Sequence, residues 1–360
     1  MNHKSVLMTL VILLPAAATG AEIVNKDGNK LDLYGQLNGV HYFSSDADNN
    51  GDRSYTRFGF KGETQIGDGL TGYGQWEYQA GLDQPESAGP GDSYTRLGFA
   101  GLTFGHWGSL DYGRNYGLLY DVAGWTDVLP EFGNDSYETA DNFMTGRANG
   151  LLTYHSRSLG GLVDGLDLGL QYQGKNRGDD AQRAKDIQTQ NGDGYAFSAT
   201  YDTGVGLNVG AAYANSARTL AQQRFGLADG DRARAWTLGL KYDQDNLYLA
   251  ASYARTENMT YVDGDRYAGF APRADAVEAV AQYHFDSGVT PSLAYLQTRG
   301  RNLPGIGDAD LVKYLDLALN YSFNANMSTY VEYKLNLLQR QNAVGAGADD
   351  IVETGIMYQF

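Results

Sequence analysis

The sequence predicts an all-β protein: a 16-stranded antiparallel transmembrane β-barrel with a long third loop folded into the lumen. Three observations support this fold class. Apolar and polar residues alternate along many segments, aromatic residues stand at the segment ends, and short turns separate longer polar loops. A period of two puts the two sets of side chains on opposite faces of a strand. A lipid-facing apolar band and a polar lumen produce this pattern.

The first twenty residues are predicted to be a secretory signal peptide. Lys4 precedes an apolar run from Val6 to Leu14, and small residues lead up to Gly20. Cleavage after Gly20 would leave residues 21–360 as a single barrel domain. No later stretch has about 18 consecutive apolar residues, so no transmembrane helix is expected after the signal. Export without such a helix indicates the periplasm, secretion or the outer membrane.

Composition excludes several function classes. The formal net charge is −16, and the signal peptide contributes only Lys4, so the remaining chain is strongly acidic and nucleic-acid binding is not expected. The chain has 47 Gly and 27 Tyr but only 7 Pro, which is unusual for a soluble globular protein. It has no cysteine, which excludes disulfides and thiolate metal sites. The histidines lack metal-ligand spacing, and we expect neither a metal nor another cofactor.

The clearest strand is the last one, from Ile351 to Phe360. Val352, Thr354 and Ile356 share one face with Tyr358 and Phe360. Two aromatic residues at one end of a strand indicate a membrane interface. The same pattern predicts fifteen earlier strands: Leu31 to Phe43, Ser54 to Thr64, Leu70 to Gln79, Tyr94 to Leu102, Ser109 to Tyr116, Arg147 to His155, Leu166 to Gly174, Tyr195 to Tyr201, Gly206 to Ala214, Ala235 to Tyr242, Leu247 to Ala254, Ala276 to Phe285, Thr290 to Gln297, Val312 to Phe323 and Met327 to Leu337.

The connections between these strands are predicted to alternate in length. Tight turns rich in Gly, Asp and Asn fit hairpins on the periplasmic side, and the intervening loops are long and polar. A barrel of about sixteen strands is too wide for its own side chains to fill, so an aqueous channel is expected. The turns are Gly67 to Gly69, Gly105 to Gly108, Asp202 to Val205, Asp243 to Asn246, Asp286 to Val289 and Asn324 to Asn326.

The third loop, from Gly117 to Gly146, differs from the others. It is the longest connection and contains Trp125, Pro130 and Phe132, which are unusual in a solvated external loop. We therefore expect this loop to fold inward. Alternation also places Arg57 opposite Phe58 and Phe60, hence on the lumen face of its strand.

Several longer segments resemble a known family. They are AEIVNKDGNKLDLYG, RFGFKGETQIGDGLTGYGQWEY, SLDYGRNYG, DVLPEFGN, GLVDGLDLGLQYQGKN, NMSTYVEY and GIMYQF. Over essentially the whole mature chain, the sequence is similar to the trimeric general diffusion porins of enterobacteria, close to the osmoporin and matrix-porin group. The resemblance implies an outer-membrane channel for passive diffusion of ions and small hydrophilic solutes, without catalysis.

The resemblance also implies a charged constriction. The third loop would present Asp127 and Glu131 across the lumen from Arg57, Arg96 and Arg147. A fourth basic position on the first strand is occupied by Gln36 in this chain, so we expect a stronger, although still weak, cation preference. The loop departs from the family pattern at Asn134 as well, but Asn tolerates a left-handed backbone, and the turn should survive.

The partners implied by the resemblance are those of an outer-membrane protein. We expect a homotrimer, with Glu86 of one subunit acting as a latch either on Arg114 alone or on both Arg114 and Arg147 of its neighbour. The other expected partners are outer-membrane lipid and lipopolysaccharide, the barrel-assembly machinery acting through Phe360, and a phage or colicin that uses the porin as receptor. Trimer contacts are expected on the outer face of the first strands, at Leu33, Leu37, Phe58, Phe60, Trp76 and Tyr78.

Three other functions are weighed against a general porin. A sugar-specific porin would use lumen aromatics such as Tyr55 and Tyr120 for stacking. An outer-membrane enzyme would need a nucleophile or acid–base site on the barrel rim, and the sequence has no compact motif of that kind. An adhesin or receptor would use the barrel only as an anchor for its loops. Conductance through each subunit separates a porin from the last two.

Overall fold

Backbone pairing joins the strands into one closed antiparallel barrel. The computed structural model describes residues 20–88, 93–176, 186–225 and 228–360, so residues 1–19 of the predicted signal peptide lie outside the described part. Within that part, sixteen long strands form the wall, which confirms the predicted fold class. They are β2 (Asn29–Ser44), β4 (Tyr55–Gly67), β5 (Leu70–Gly81), β6 (Tyr94–Phe104), β7 (Ser109–Tyr116), β8 (Arg147–Ser156), β9 (Leu166–Gln173), β10 (Gly194–Asp202), β11 (Leu207–Ala217), β12 (Arg232–Gln244), β13 (Leu247–Glu257), β16 (Arg273–Tyr283), β17 (Val289–Leu303), β18 (Gly307–Ser322), β19 (Met327–Asn336) and β20 (Ile351–Gln359).

The remaining elements are short. The additional strands are β1 (Ala21–Lys26), β3 (Gly51–Asp52) and an external hairpin of β14 (Tyr261–Gly264) and β15 (Tyr267–Phe270). The helical segments are α1 (Tyr120–Ala123), α2 (Ser158–Gly161), α3 (Leu220–Arg224) and the 3-10 turns Ala47–Asn49, Glu86–Ala88 and Ile187–Thr189. No helix in the described ranges is long and apolar enough to cross a membrane.

Closure of the barrel uses the first and the last strands of the described chain. β20 and β1 pair with the same edge of β2, β20 with its second half and β1 with its first, while β4 pairs with the opposite edge. Phe360 and Gly35 exchange backbone hydrogen bonds of 3.0 and 3.1 Å. Because one barrel position is shared by β20 and β1, no strand edge is left open there.

Side chains alternate between lipid and lumen as predicted. Along β18, Leu317 and Leu319 are about half exposed on the outer surface, whereas Tyr314, Asp316 and Ala318 are buried inside. Aromatic pairs lie at the tight-turn end of several strands, with ring centroids 4.7 to 6.1 Å apart; these pairs are Tyr283–Phe285, Tyr321–Phe323 and Tyr358–Phe360. They form part of the expected interfacial girdle.

The predicted strict alternation of turn lengths is wrong at one place. The connection between β17 and β18 was expected to be a long loop, but it consists only of Pro304, Gly305 and Ile306. Both strands continue outward past two register shifts, at Thr298/Arg299 and Gly300/Leu303, and pair as far as Leu303 and Gly307. Polar residues that were expected in a loop therefore belong to the two strands, where their backbone groups form additional hydrogen bonds.

An outward-facing charge should destabilise the barrel more than a lumen charge does. Leu317→Arg puts a guanidinium in the middle of the apolar band, where such a substitution costs about 2–4 kcal/mol. Asn320→Arg, on the lumen side of the same strand, is the control and should cost much less. Urea unfolding in lipid vesicles measures both free energies, and equal losses would contradict the assignment of faces.

Candidate functional site

The third loop folds into the barrel, as predicted. We call residues 117–146 the inner loop. It leaves β7 and returns to β8 at a neck closed by a 2.9 Å hydrogen bond from Gly117 N to Gly146 O. Leu118, Leu119 and Val122 are completely buried and pack against the lumen side of the wall. The main apolar core of the protein therefore lies between the inner loop and the barrel, in the lumen.

Two wall glycines make room for the first part of the inner loop. A Cβ atom added at Gly239 of β12 would lie 2.5 Å from Val122 Cγ1, and one at Gly210 of β11 would lie 2.6 Å from Trp125 Cη2. Both distances are shorter than van der Waals contact. Because glycine occupies these positions, α1 and Trp125 can sit directly against the sheet.

Wall side chains also satisfy polar backbone groups of the inner loop. Such groups are costly to bury without partners. The Glu332 carboxylate of β19 accepts from the amides of Glu131 and Phe132, at 3.0 and 3.2 Å. Further donors from the wall are Tyr248 Oη to Trp125 O at 2.6 Å, Gln282 Nε2 to Val128 O at 2.9 Å and Thr298 Oγ1 to Ser136 O at 2.5 Å.

The tip of the inner loop turns back at Gly133 and Asn134. Their φ angles are 103° and 50°, so the Asn predicted to tolerate a left-handed backbone does adopt one. Asp135 then returns to the wall, where it accepts from Tyr314 Oη at 2.8 Å and pairs with Lys334 Nζ at 3.1 Å. The position of the tip is therefore determined by contacts with β18 and β19.

The two predicted acidic residues are both held by tyrosines. Tyr120 Oη donates to Asp127 Oδ2 at 2.5 Å. Glu131 accepts from Tyr42 and Tyr55 at 3.3 and 3.2 Å. Burial raises the pKa of Glu131 above the usual carboxyl range, and the charge of Arg57 and the tyrosine hydrogen bonds act in the opposite direction.

The three predicted arginines occupy different environments. Arg57 donates to Gln79 Oε1 at 2.7 Å, and its guanidinium lies 4.7 Å from the Tyr55 ring centroid. Arg96 is only 8% exposed and forms a 2.5 Å ion pair with Glu77. Arg147 lies 5.7 Å from the ring centroid of Tyr116. Part of the positive charge is therefore neutralised by the wall itself.

Gln36 lies directly beside this cluster. It is the register partner of Arg57, and its amide donates to Tyr55 Oη at 3.4 Å. The side chain paired with Arg57 across the strands is therefore neutral. Lys61, four residues after Arg57 on the same face, lies 5.0 Å from the Tyr34 ring centroid and was not recognised from the sequence. The signal that could have found it is the alternation that identified Arg57.

The predicted latch residues lie apart from the acidic tip. Glu86 begins an exposed 3-10 turn in the second loop. Arg114 is held within its own chain, where its guanidinium donates to Asp141 at 2.6 and 3.0 Å and to the carbonyl oxygen of Thr95 at 2.9 Å. The acidic wall residues that bind the inner loop were also missed, because nothing local in the sequence distinguishes them from other lumen carboxylates.

Comparison with known proteins agrees with this architecture. The family model described as Gram-negative porin matches residues 26–360. The chain belongs to the Gram-negative porin family. It is 54% identical to outer membrane protein F of Serratia marcescens and 51% identical to outer membrane porin N of Escherichia coli K12, with full coverage of each chain in both cases. A solved structure of Salmonella typhi OmpF in complex with daunomycin has a TM-score of 0.87 and 46% identity, covering 94% of this chain and 100% of that one.

Family membership and the barrel together establish the general role. The protein is an outer-membrane porin that forms a general diffusion channel. Its relatives are channels without enzymatic activity. Because the inner loop lies inside the barrel, the residues that hold it also determine how much of the lumen it leaves free.

A methyl group at Gly239 should change the pore. Gly239→Ala forces a Cβ into Val122, and overpacking of this kind typically costs about 1–3 kcal/mol. We expect the inner loop, rather than the paired wall, to move toward the lumen and the unit conductance to fall. Gly347→Ala, where a Cβ has no neighbour within 4 Å, is the control. Planar-bilayer recordings measure both variants. Unchanged conductance in Gly239→Ala would contradict the conclusion that glycine at this position makes room for the inner loop.

Proposed function

We propose that this porin is a weakly cation-selective channel whose selectivity depends on a transverse charge arrangement at the inner loop. The supporting observation is the electrostatic contact between the two sides. Burial dominates the pKa of Glu131, but Arg57 and Arg96 both act to lower it. Guanidinium groups of β4 and β6 are therefore close enough to act on a carboxylate of the inner loop.

Opposed charges across a narrow waterway create a field perpendicular to the direction of diffusion. Two unit charges interact by about 332/(εr) kcal/mol, and the effective dielectric constant in such a site is below that of bulk water. Permeating ions respond to the balance between the two sides. Here Glu77 neutralises Arg96, and Gln36 adds no charge, so the balance favours cations.

Two independent substitutions test the charge balance. Asp127→Asn with Glu131→Gln should reduce cation selectivity by removing negative charge, and Gln36→Lys should reduce it by adding positive charge. At ~10 Å, even with the dielectric constant of bulk water, ~80, one unit charge changes the energy of a monovalent ion by about 0.4 kcal/mol, with opposite sign for a cation and an anion, so the cation-to-anion permeability ratio should change about fourfold. The measurement is the reversal potential under a salt gradient. Asp68→Asn, in the exposed tight turn between β4 and β5, is the control for a carboxylate removed away from the inner loop.

Selectivity that stayed unchanged in both variants would exclude these residues from the selectivity mechanism. Anion selectivity of the wild type would overturn the charge assignment altogether. The same recordings show the number of channels per insertion event. Conductance in steps of three is the result expected for a trimer, and single steps would argue against it.

We infer that the trimer contact uses the aromatic outer face of β4 and β5. Phe58, Phe60, Trp76 and Tyr78 point outward, and their ring centroids are 5.7 to 5.9 Å apart. Phe58 and Phe60 are about 40% exposed in the single chain. The Glu86 latch belongs to the same proposal. It requires Glu86 of a neighbour to approach Arg114, which already carries Asp141 as an internal partner.

We also infer that an outward arginine cluster binds lipopolysaccharide phosphates. Asp275 and Glu278 of β16 are three residues apart, so they lie on opposite faces of the strand. Because Glu278 faces the lumen, Asp275 faces outward. Arg255, Arg273 and Arg301 all pair with Asp275, at 2.8 to 3.2 Å. Arg301 also pairs with Asp308 at 2.7 Å, and Arg299 lies 4.0 Å from the same carboxylate. Four guanidinium groups beside two carboxylates leave excess positive charge on the outer surface of a very acidic protein. Guanidinium binds phosphate well.

Loss of two of these charges should weaken lipid binding without changing the pore. Arg273→Gln with Arg301→Gln leaves the Arg255–Asp275 pair intact. A basic residue near an anionic membrane surface contributes about 1 kcal/mol, so two should change the affinity about 30-fold. Lipopolysaccharide bound to the purified protein is the quantity to measure. Arg340→Gln, at an 80% exposed external position, is the control, and equal retention in both variants would contradict the proposal.

A further inference from the structure

A second wall carboxylate holds the inner loop at two separate points. Glu278 of β16 is 1% exposed and faces the lumen. Its Oε2 accepts from Thr126 Oγ1 at 2.5 Å, and its Oε1 accepts from the amide of Ser136 at 3.3 Å. These positions lie on either side of the acidic segment that contains Asp127 and Glu131. Glu278 therefore ties together both ends of the segment that carries the charges of the constriction.

A second buried carboxyl group, Glu138, meets the same serine. Ser136 Oγ donates to Glu138 Oε2 at 3.4 Å, and the amide of Tyr137 donates to the same oxygen at 3.2 Å. The other oxygen, Oε1, is buried and has no hydrogen-bond partner among the described residues. Glu138 itself is 7% exposed. Two carboxyl groups thus share one loop residue inside the protein.

The donors around the pair indicate which group is ionised. Both oxygens of Glu278 accept hydrogen bonds, as an ionised carboxylate requires. Glu138 accepts on one oxygen only, which leaves Oε1 free to carry a proton. Two adjacent buried carboxylates cannot both ionise without strong repulsion. Burial and the neighbouring Glu278 charge raise the pKa of Glu138 well above its usual range.

Among the described residues, the other charged groups near the pair do not neutralise it. Asp127 and Asp135 of the inner loop both add negative charge near Glu278, and the phenol of Tyr314 on β18 also faces it. On the loop, the phenol of Tyr137 lies next to both carboxyls. Lys334 of β19 is paired with Asp135 at 3.1 Å and binds neither carboxyl group. The pair therefore avoids a double negative charge because one of the two carboxyl groups keeps its proton.

We propose that Glu138 and Glu278 are positioning residues for the constriction, which share one proton and hold the inner loop against β16. Glu278 is the ionised anchor, and Glu138 is the neutral partner. When Glu138 loses its proton to solvent, repulsion between the two carboxylates pushes residues 136–138 away from the wall. Because Glu138 releases its proton only as pH rises through a raised pKa, the loop is held in neutral solution and loosens in alkaline solution.

The inference rests on the proposed role of the inner loop as the constriction. The experiment records single channels of the full-length protein in planar bilayers across a pH series. The wild type should show steady current at neutral pH, and current fluctuations should increase in a one-proton step at alkaline pH. Glu138→Gln keeps a neutral side chain at every pH, so it should retain the wild-type unit conductance and lose the alkaline step.

Glu278→Leu should behave differently. It removes both acceptor oxygens, so the contacts with Thr126 and Ser136 are lost at every pH, and the fluctuations should be present throughout. Glu257→Gln, a half-exposed glutamate at the end of β13, is the matched control and should keep the wild-type pH profile. Unheated gel mobility checks folding, and Glu138→Gln carries the test if Glu278→Leu does not fold.

The outcomes separate the two proposals. The shared-proton proposal is overturned, and the channel function is not, by either of two results. One is a wild-type pH profile of current fluctuations without an alkaline step, and the other is a Glu138→Gln profile identical to that of the wild type. Absence of conductance in the folded wild-type protein overturns the proposed function itself. A step removed by Glu138→Gln and retained by Glu257→Gln supports the shared-proton proposal, because a purely structural role would not move a pH midpoint.

Discussion

Closure of the sheet is the constraint on which the rest of this structure depends. In a membrane, backbone amide and carbonyl groups have no water to bind, so each strand must pair on both edges. The chain meets this requirement at its own ends, where β20 and β1 together occupy one position beside β2. Phe360 completes the seam through its backbone bonds to Gly35. Alternation of side chains, the aromatic girdle and the aqueous lumen all follow from a closed antiparallel wall.

A closed wall of this width leaves a space that strand side chains cannot fill, and the inner loop occupies part of it. The loop has little regular structure, so its backbone must find partners elsewhere. The wall supplies them from β13, β16, β17 and β19, and it supplies space through glycine at Gly210 and Gly239. The apolar core of the protein therefore forms inside the barrel, between the inner loop and the wall. The packing of this core therefore determines the geometry of the pore.

Many charged groups of the lumen also hold the structure together. Glu332 and Glu278 bind loop groups, Glu77 binds Arg96, and Asp135 binds Lys334, so a count of charged residues overestimates what a passing ion meets. Asp127 and Glu131 are themselves oriented by tyrosines. These hydroxyl donors hold the two carboxylates in one place, which fits the selectivity role proposed above.

The sequence by itself determined the strands, their two faces and the inward third loop, because a period of two and a cluster of aromatic residues are local properties. Each of the sixteen predicted strands overlaps a strand of the structure, and Ser109–Tyr116 has the predicted bounds. Arg57 was assigned to the lumen by the same alternation. Only the tertiary structure decided which carboxylates hold the loop, since Thr126 and Glu278 are 152 residues apart and meet only after closure. It also decided the tight β17–β18 turn, the shared seam of β20 and β1, and the pairing of Arg96, which all depend on register between distant segments.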